Sequence, residues 1–384
     1  MRGLAGGSRS RLRRAAGALG LALAAGLALE LAARLADPLR PVTPAWRVIL
    51  PVNERLVFEN PWPGSRLPRE IPVRYNGLGF RGPERAADPD SRFEILTLGP
   101  STAHSARQAE GTSWPDRLRA RLDAEFENVW LNNAGMEGQS TFGHRTLLLE
   151  FLSALEPDLA LLLVGINERS RDREREFDAR LRLSERPWLD RIVGHSELLS
   201  GALVLLRSLR SARVTLTHWE FDLATHPDFD LAAEDREGEL ARHDPHYVAL
   251  YRARLEELLD RFGDAGIEVV LMTQPALWGD ARDPTSGREI APLSVGETSA
   301  SLAWAVLELY NDVTRAVAAA RETPLIDLAR AMPKDSLYFY DWIHFTEAGA
   351  AHAGGIVGGE LAALLRGRAG VVPRAAAPAP AAGS

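Results

Sequence analysis

FEILTLGPSTAHSA, residues 93–106, is the stretch whose reading decides the fold. An apolar run (Ile95, Leu96, Thr97, Leu98) stops at Gly99, and Ser101 follows two residues later. The run reads as a buried strand, and a helix is expected beyond it, starting near Ser113 and Pro115, with Ser113 as cap. A buried strand ending in a tight turn puts the turn at the carboxyl edge of a parallel sheet, where open α/β folds build their sites. Ser101 is therefore a candidate nucleophile. Taken alone, Gly99, Pro100 and Ser101 also suit an ordinary turn.

Later positions change that balance. A second apolar strand, 129–131, leads into Asn133-Ala134-Gly135-Met136-Glu137-Gly138, and a third, 159–164, into Gly165-Ile166-Asn167-Glu168. Near the C-terminus stands Asp341-Trp342-Ile343-His344, followed by Thr346 as the cap of a closing helix. Ser, Gly, Asn and Asp-x-x-His, in that order, resemble the four blocks of the SGNH/GDSL hydrolase superfamily. The resemblance covers roughly residues 74–365. It implies a flavodoxin-like three-layer α/β/α fold with a parallel sheet. The alternation of strands and helices along the chain independently argues for a parallel sheet covered on both faces.

The chemistry fits the residue types. A serine hydroxyl needs a base, for which His344 is the candidate, and Asp341 can fix the tautomer of its ring. The resemblance assigns Ser101, Asp341 and His344 as catalytic. It assigns an oxyanion hole to the backbone N–H groups of Ser101 and Gly138 and the side-chain amide of Asn167. It implies no metal and no organic cofactor. Two positions depart from the family pattern: Pro100 stands where Asp is usual before the serine, and Glu168 where Asp often follows the asparagine. Proline removes only its own N–H and leaves the Ser101 donor intact. A G-x-S-x-G nucleophile elbow is ruled out by Ala103 at its last position.

The whole chain narrows the classes further. Its 384 residues can bury a full core, and a net charge of −7 offers no basic field to nucleic acid. Cysteine is absent, which removes disulfides and thiolate chemistry, and Lys334 is the only lysine. The His243-Asp244-Pro245-His246 cluster lacks an evident third ligand for a metal. His104 is read as a pocket or turn residue, His144 and His352 as structural or exposed.

Residues 1–14 hold five arginines and no acid, and residues 15–36 form an Ala/Leu-rich run broken only by Glu30 and Arg34. That pattern predicts an uncleaved transmembrane signal anchor with the remainder extracytoplasmic, in preference to a cleaved signal that would release a secreted protein. Residues 37–90 read as a Pro-rich stalk and lead-in with short strands. Its stretch Arg74-Tyr75-Asn76-Gly77-Leu78-Gly79-Phe80-Arg81-Gly82 resembles the lead-in of membrane-anchored superfamily members. The hydrolase domain is expected over 91–366, with an insert at about 169–298. Within it, 168–186 reads as a solvated helical face and 187–244 as a helical insert carrying Trp188, Trp219 and Phe221. Tyr247 and Trp278 follow in the remainder of the insert. Residues 367–384 read as a disordered tail.

The expected function is that of a membrane-tethered serine esterase or lipase-like hydrolase acting through an acyl-Ser101 intermediate. The ester would belong to a small molecule, lipid or saccharide. Two alternatives stay open: an O-acyltransferase of the same fold acting on extracytoplasmic polysaccharide, and a catalytically inactive, membrane-tethered binding protein.

Overall fold

The computed structural model describes residues 5–36, 50–85, 88–179, 196, 198–199, 211–215 and 220–375. Its centre is a five-stranded parallel sheet built from β3 (Phe93–Leu98), β4 (Val129–Asn133), β5 (Leu159–Val164), β7 (Glu268–Thr273) and β8 (Leu325–Ile326), ordered β8-β7-β5-β3-β4. That is the flavodoxin-like order expected. The chain reverses its direction of travel between β3 and β5, and ligand sites of open α/β sheets form at the carboxyl ends of strands flanking such a reversal.

The strands are largely apolar because both faces are covered, and the buried polar residues Glu94, Asn132 and Asn133 all have hydrogen-bond partners. Ile95 of β3 and Leu161 and Leu163 of β5 face helices α3 (Trp114–Glu125) and α7 (Glu347–Leu365). Leu96, Leu98, Leu162 and Val164 face α4 (Thr141–Leu147), α5 (His246–Asp264) and α6 (Ala300–Ala320). Each fully buried leucine contributes about 1.5–3 kcal/mol to the fold. Helix ends are set locally. Ser113 and Asp116 form a capping box on α3, and Thr346 accepts the Gly349 N–H at the start of α7. Helix α4 runs on to Leu155 through a π turn at Leu148–Leu152.

Several expectations are corrected. From Leu50 onward the lead-in is no stalk, because Leu50, Leu78 and Phe80 are buried in the core beside Leu96 and Trp130. Its short strands, β1 (Arg55–Glu59) and β2 (Glu70–Arg74), pair antiparallel. Among the described residues of 187–244, β6 (Ser211–Thr215) joins β1 in parallel, and α-helix is found at 198–199 and at Arg236–His243. The stretch 168–186 is solvated only in part where it is described: Asp172, Arg173 and Arg175 are exposed, whereas Glu168, Arg171 and Asp178 are buried and Arg171 pairs with Asp178. Buried carboxylates need such partners, and these find them within the domain. Residues 367–375 are not a loose tail. Glu127 N–H donates to the Val372 carbonyl at 2.9 Å and Arg374 N–H to that of Glu125 at 2.8 Å. Trp188, Trp219, residues 37–49 and residues 376–384 lie outside the described residues.

At the N-terminus, α1 (Ala5–Ala36) contains a 20-residue window, Ala16–Leu35, of mean hydropathy 1.8 with none of it buried. It is compatible with a signal anchor or a signal sequence. Helix α7 is also apolar enough by composition, but half of it is buried, against α3.

Candidate active site

Ser101 opens a one-turn helix, α2 (Ser101–His104), directly after β3. The turn is tight because Gly99 has no side chain: a Cβ there would lie 2.7 Å from that of Ala103 and 3.0 Å from the Leu163 carbonyl. Pro100 occupies the helix cap with an extended backbone and costs the site no donor.

The turn is fixed from every side. Arg81, from the lead-in, donates to the carbonyls of His104, Ser105 and Gln108 at 2.8, 2.5 and 2.8 Å. Asn133 donates to the Ala103 carbonyl at 2.8 Å and accepts from Thr97 Oγ1 and the Gly135 N–H. Trp114 Nε1 donates to the Thr102 carbonyl, and Thr102 Oγ1 to Gln274, each at 2.9 Å. Gln108 Nε2 donates to the carbonyls of Phe345 and Thr346 at 3.0 Å each, which ties the turn to the loop before α7.

That loop brings the other two residues. Ser101 Oγ lies 2.8 Å from His344 Nε2, and His344 Nδ1 lies 2.7 Å from Asp341 Oδ2. With Nδ1–H donating to the carboxylate, Nε2 is left to accept the serine proton. Asp341 Oδ1 accepts the backbone N–H groups of Ile343 and His344 at 2.9 and 2.8 Å. Burial pushes the Asp341 carboxyl up. The charge and hydrogen bond of His344 and these two N–H groups more than offset it, leaving it below the usual carboxylate range. The Tyr340 ring stacks on His344 with centroids 5.6 Å apart.

The second and third blocks meet beside this turn. Ala134 N–H donates to the Thr97 carbonyl and Met136 N–H to that of Gly99, so the loop after β4 runs along the end of β3. Gly138 in that loop has φ of +68°, and a Cβ there would collide with the Phe177 ring, so no other residue fits. Asn167 Nδ2 donates to the Gln139 carbonyl at 2.9 Å, which leaves its second amide hydrogen unassigned. Glu168 holds Thr141 through its N–H (2.7 Å) and Oγ1 (3.0 Å), and pairs with Arg254 at 2.9 Å. Thus the position where the family often has Asp serves to anchor α4.

Other histidines take structural places. His144 is fully buried, and desolvation lowers its pKa to about 4, so the ring is neutral. His243 bonds Tyr310 Oη at 2.8 Å, and no group of three or more metal-ligating side chains occurs among the described residues. His352 stacks on Tyr338. His104 belongs to a buried polar chain with Tyr75 and Glu137. The supporting roles of Arg81, Gln108, Asn133 and Glu137 went unread in the sequence. Only the glycine-rich lead-in around Arg81 carried a signal, and that was one of resemblance.

A serine, an imidazole and a carboxylate in one hydrogen-bonded chain, on a parallel α/β sheet, define the class of protein. The pattern of the GDSL-like Lipase/Acylhydrolase family matches residues 97–352, and the chain belongs to that family. Among solved structures it is similar to a lipase/acylhydrolase from Enterococcus faecalis, with 18% identity and a TM-score of 0.41, covering 74% of this chain and 99% of that one. It is also similar to an acetylxylan esterase from Geobacillus stearothermophilus, at 14% identity and a TM-score of 0.39, covering 70% and 93%. A GDSL-like lipase from Bacteroides thetaiotaomicron matches at 10% identity and a TM-score of 0.38, covering 74% and 92%. No curated protein sequence matches the chain.

Proposed function

We propose that the protein is a serine esterase that hydrolyses a short-chain O-acyl ester through an acyl-Ser101 intermediate. The Ser101–His344–Asp341 hydrogen-bonded chain carries this reading. In the reaction Ser101 Oγ attacks the ester carbonyl while its proton passes to His344 Nε2. Asp341 holds the ring and balances the imidazolium. The N–H groups of Ser101 and Gly138 and the free amide hydrogen of Asn167 receive the oxyanion. His344 then protonates the leaving alcohol, and water enters by the same base to release the acid. No cofactor takes part in these steps.

The space around the serine supports a short acyl group. The cavity lined by Ser101, Ala106, Arg107, Tyr340 and His344 has a volume of about 10 Å³, the scale of a single water. A much larger groove of about 510 Å³ lies behind the same loop, lined by Trp62, Arg66, Phe221, Asp222 and Ser336. Phe221 packs on Trp342, two residues before His344, at 4.6 Å between ring centroids. A small cavity at the serine and a wide groove of mixed polar and apolar lining across the loop support a bulky alcohol moiety such as a saccharide or lipid headgroup. The apolar part of α1, Ala16–Leu35, which follows the cluster of arginines, tethers the domain to the cytoplasmic membrane with the active site extracytoplasmic.

The test uses the full-length protein in detergent. It should hydrolyse an aryl acetate and be labelled by a fluorophosphonate, and Ser101→Ala should lose both. Supplied with an oligosaccharide, the parent should still release free acid. Acylated oligosaccharide formed instead would establish acyl transfer, and no labelling of folded parent protein would establish a binding protein.

A further inference from the structure

Glu137 stands immediately before Gly138, so a carboxylate flanks a backbone donor meant for an oxyanion. Left uncompensated, its charge would oppose the negative charge that forms there. The structure surrounds it. Arg107 Nη1 lies 2.8 Å and His104 Nδ1 3.2 Å from Glu137 Oε1, and both residues come from the segment that follows Ser101. Arg107 also lines the cavity beside Ser101. Burial pushes the Glu137 carboxyl up. The His104 hydrogen bond and the Arg107 guanidinium outweigh it, and its pKa falls to about 2.

The far nitrogen of His104 is held as well. Tyr75 Oη lies 2.7 Å from His104 Nε2, and the rings stack with centroids 5.9 Å apart. Glu137 only accepts, so Nδ1 carries the proton, and Tyr75 O–H donates to Nε2. Burial raises the Tyr75 pKa, which keeps that donor in place. Three segments, the lead-in, the nucleophile turn and the loop of Gly138, are thereby joined through one imidazole.

We propose that His104, Arg107 and Glu137 are positioning residues for the ester chemistry: they clamp the Gly138 loop against the Ser101 turn and cancel the carboxylate charge beside the oxyanion. This rests on the reading of Ser101 and Gly138 given above, and two readouts on the full-length protein keep the readings apart. The first is kinetic, with 4-nitrophenyl acetate. Arg107→Gln exposes the carboxylate and should lower kcat by about 10–10²-fold with little change in KM. Adding Glu137→Gln removes the exposed charge and should restore about tenfold of that loss. A double variant as slow as Arg107→Gln, or slower, in folded protein would overturn charge cancellation, because two merely structural losses do not rescue one another.

The second readout is amide exchange over residues 135–139, followed by mass spectrometry. His104→Ala, or Glu137→Ala where that variant does not fold, should speed exchange there by about tenfold or more. Unchanged exchange would overturn the clamp even in a protein that never turns over. A parent without turnover, but with accelerated exchange in the variant, would instead overturn the esterase reading alone.

Discussion

Two chains of hydroxyl, imidazole and carboxylate lie on either side of the one-turn helix after β3: Ser101–His344–Asp341 and Tyr75–His104–Glu137. Both imidazoles are sandwiched against a tyrosine ring and both donate Nδ1–H to a carboxylate. They differ in the hydroxyl and in what it faces. Ser101 borders a cavity, whereas Tyr75 is buried among Phe58, Ile71 and Val73. They differ also in span, since Asp341 and His344 share one loop while Tyr75, His104 and Glu137 come from three segments. Under the proposed function the same three groups serve as a proton relay beside a cavity, and as a brace around a buried tyrosine. Residue identity alone does not separate the two; access and connectivity do.

The comparison breaks most sharply at the hydroxyls. Ser101→Ala should cut kcat for an aryl ester by about 10⁴–10⁶-fold with the melting temperature unchanged. Tyr75→Phe should do the reverse, costing about 1–3 kcal/mol of stability in a denaturant titration by leaving His104 Nε2 unpaired, and less than tenfold in kcat. A dead but stable Tyr75→Phe would show that the second chain takes part in the chemistry.

Next in size come the groups around the reacting oxygen. Asp341→Ala should lower kcat by about 10²–10⁴-fold, less than loss of the serine because its task is orientation. The Asp341 pKa is depressed in the fold, so its contribution holds at neutral pH and is lost as acid protonates the carboxylate below its usual range. Asn167→Ala removes one oxyanion donor and should lower kcat by about 10²–10³-fold. An Asn167→Ala enzyme near parent kcat would mean its amide serves only the Gln139 carbonyl.

A pH-dependent effect concerns a third imidazole, which belongs to neither chain. His144 is buried neutral with a pKa of about 4, below its unfolded value of 6.5. Between those values the unfolded chain binds the proton and the native one does not, so stability falls as pH drops from about 6.5 to 4. The loss is on the order of 3 kcal/mol. Thermal melts of parent and His144→Gln over that range should converge as pH falls; parallel curves would place the pH dependence elsewhere.

Much of this architecture was legible in the sequence because its signals are local. Largely apolar runs at 93–98 and 159–164 specify strands buried on both faces, Ser101 and Asn167 follow them at short range, and Asp341 and His344 lie three residues apart just before the closing helix. The brace was not legible, since Tyr75, His104 and Glu137 are ordinary polar residues until folding brings them together. Residues 168–179 misled for a related reason. A run of charges reads as solvated unless its partners are known, and those of Glu168 are Thr141 and Arg254, far away in the chain. The lead-in misled through its prolines, which mark irregular backbone but do not say whether it packs.

The segment 367–375 has one further consequence. Strand β4 is the outer strand of the sheet, and such a strand normally exposes unpaired amides on which a second chain can polymerise. Here its start is covered by the return of the chain at Val372 and Arg374, and its end by the Arg81–Asn133 pair, bonded in both directions at 2.9 and 3.0 Å. On the opposite border the sheet ends in β8, only two residues long. Among the described residues, the central sheet thus offers little foothold for growth on either border. Trimming the chain at Arg366 would uncover one half of that border and should make the folded protein more prone to self-association.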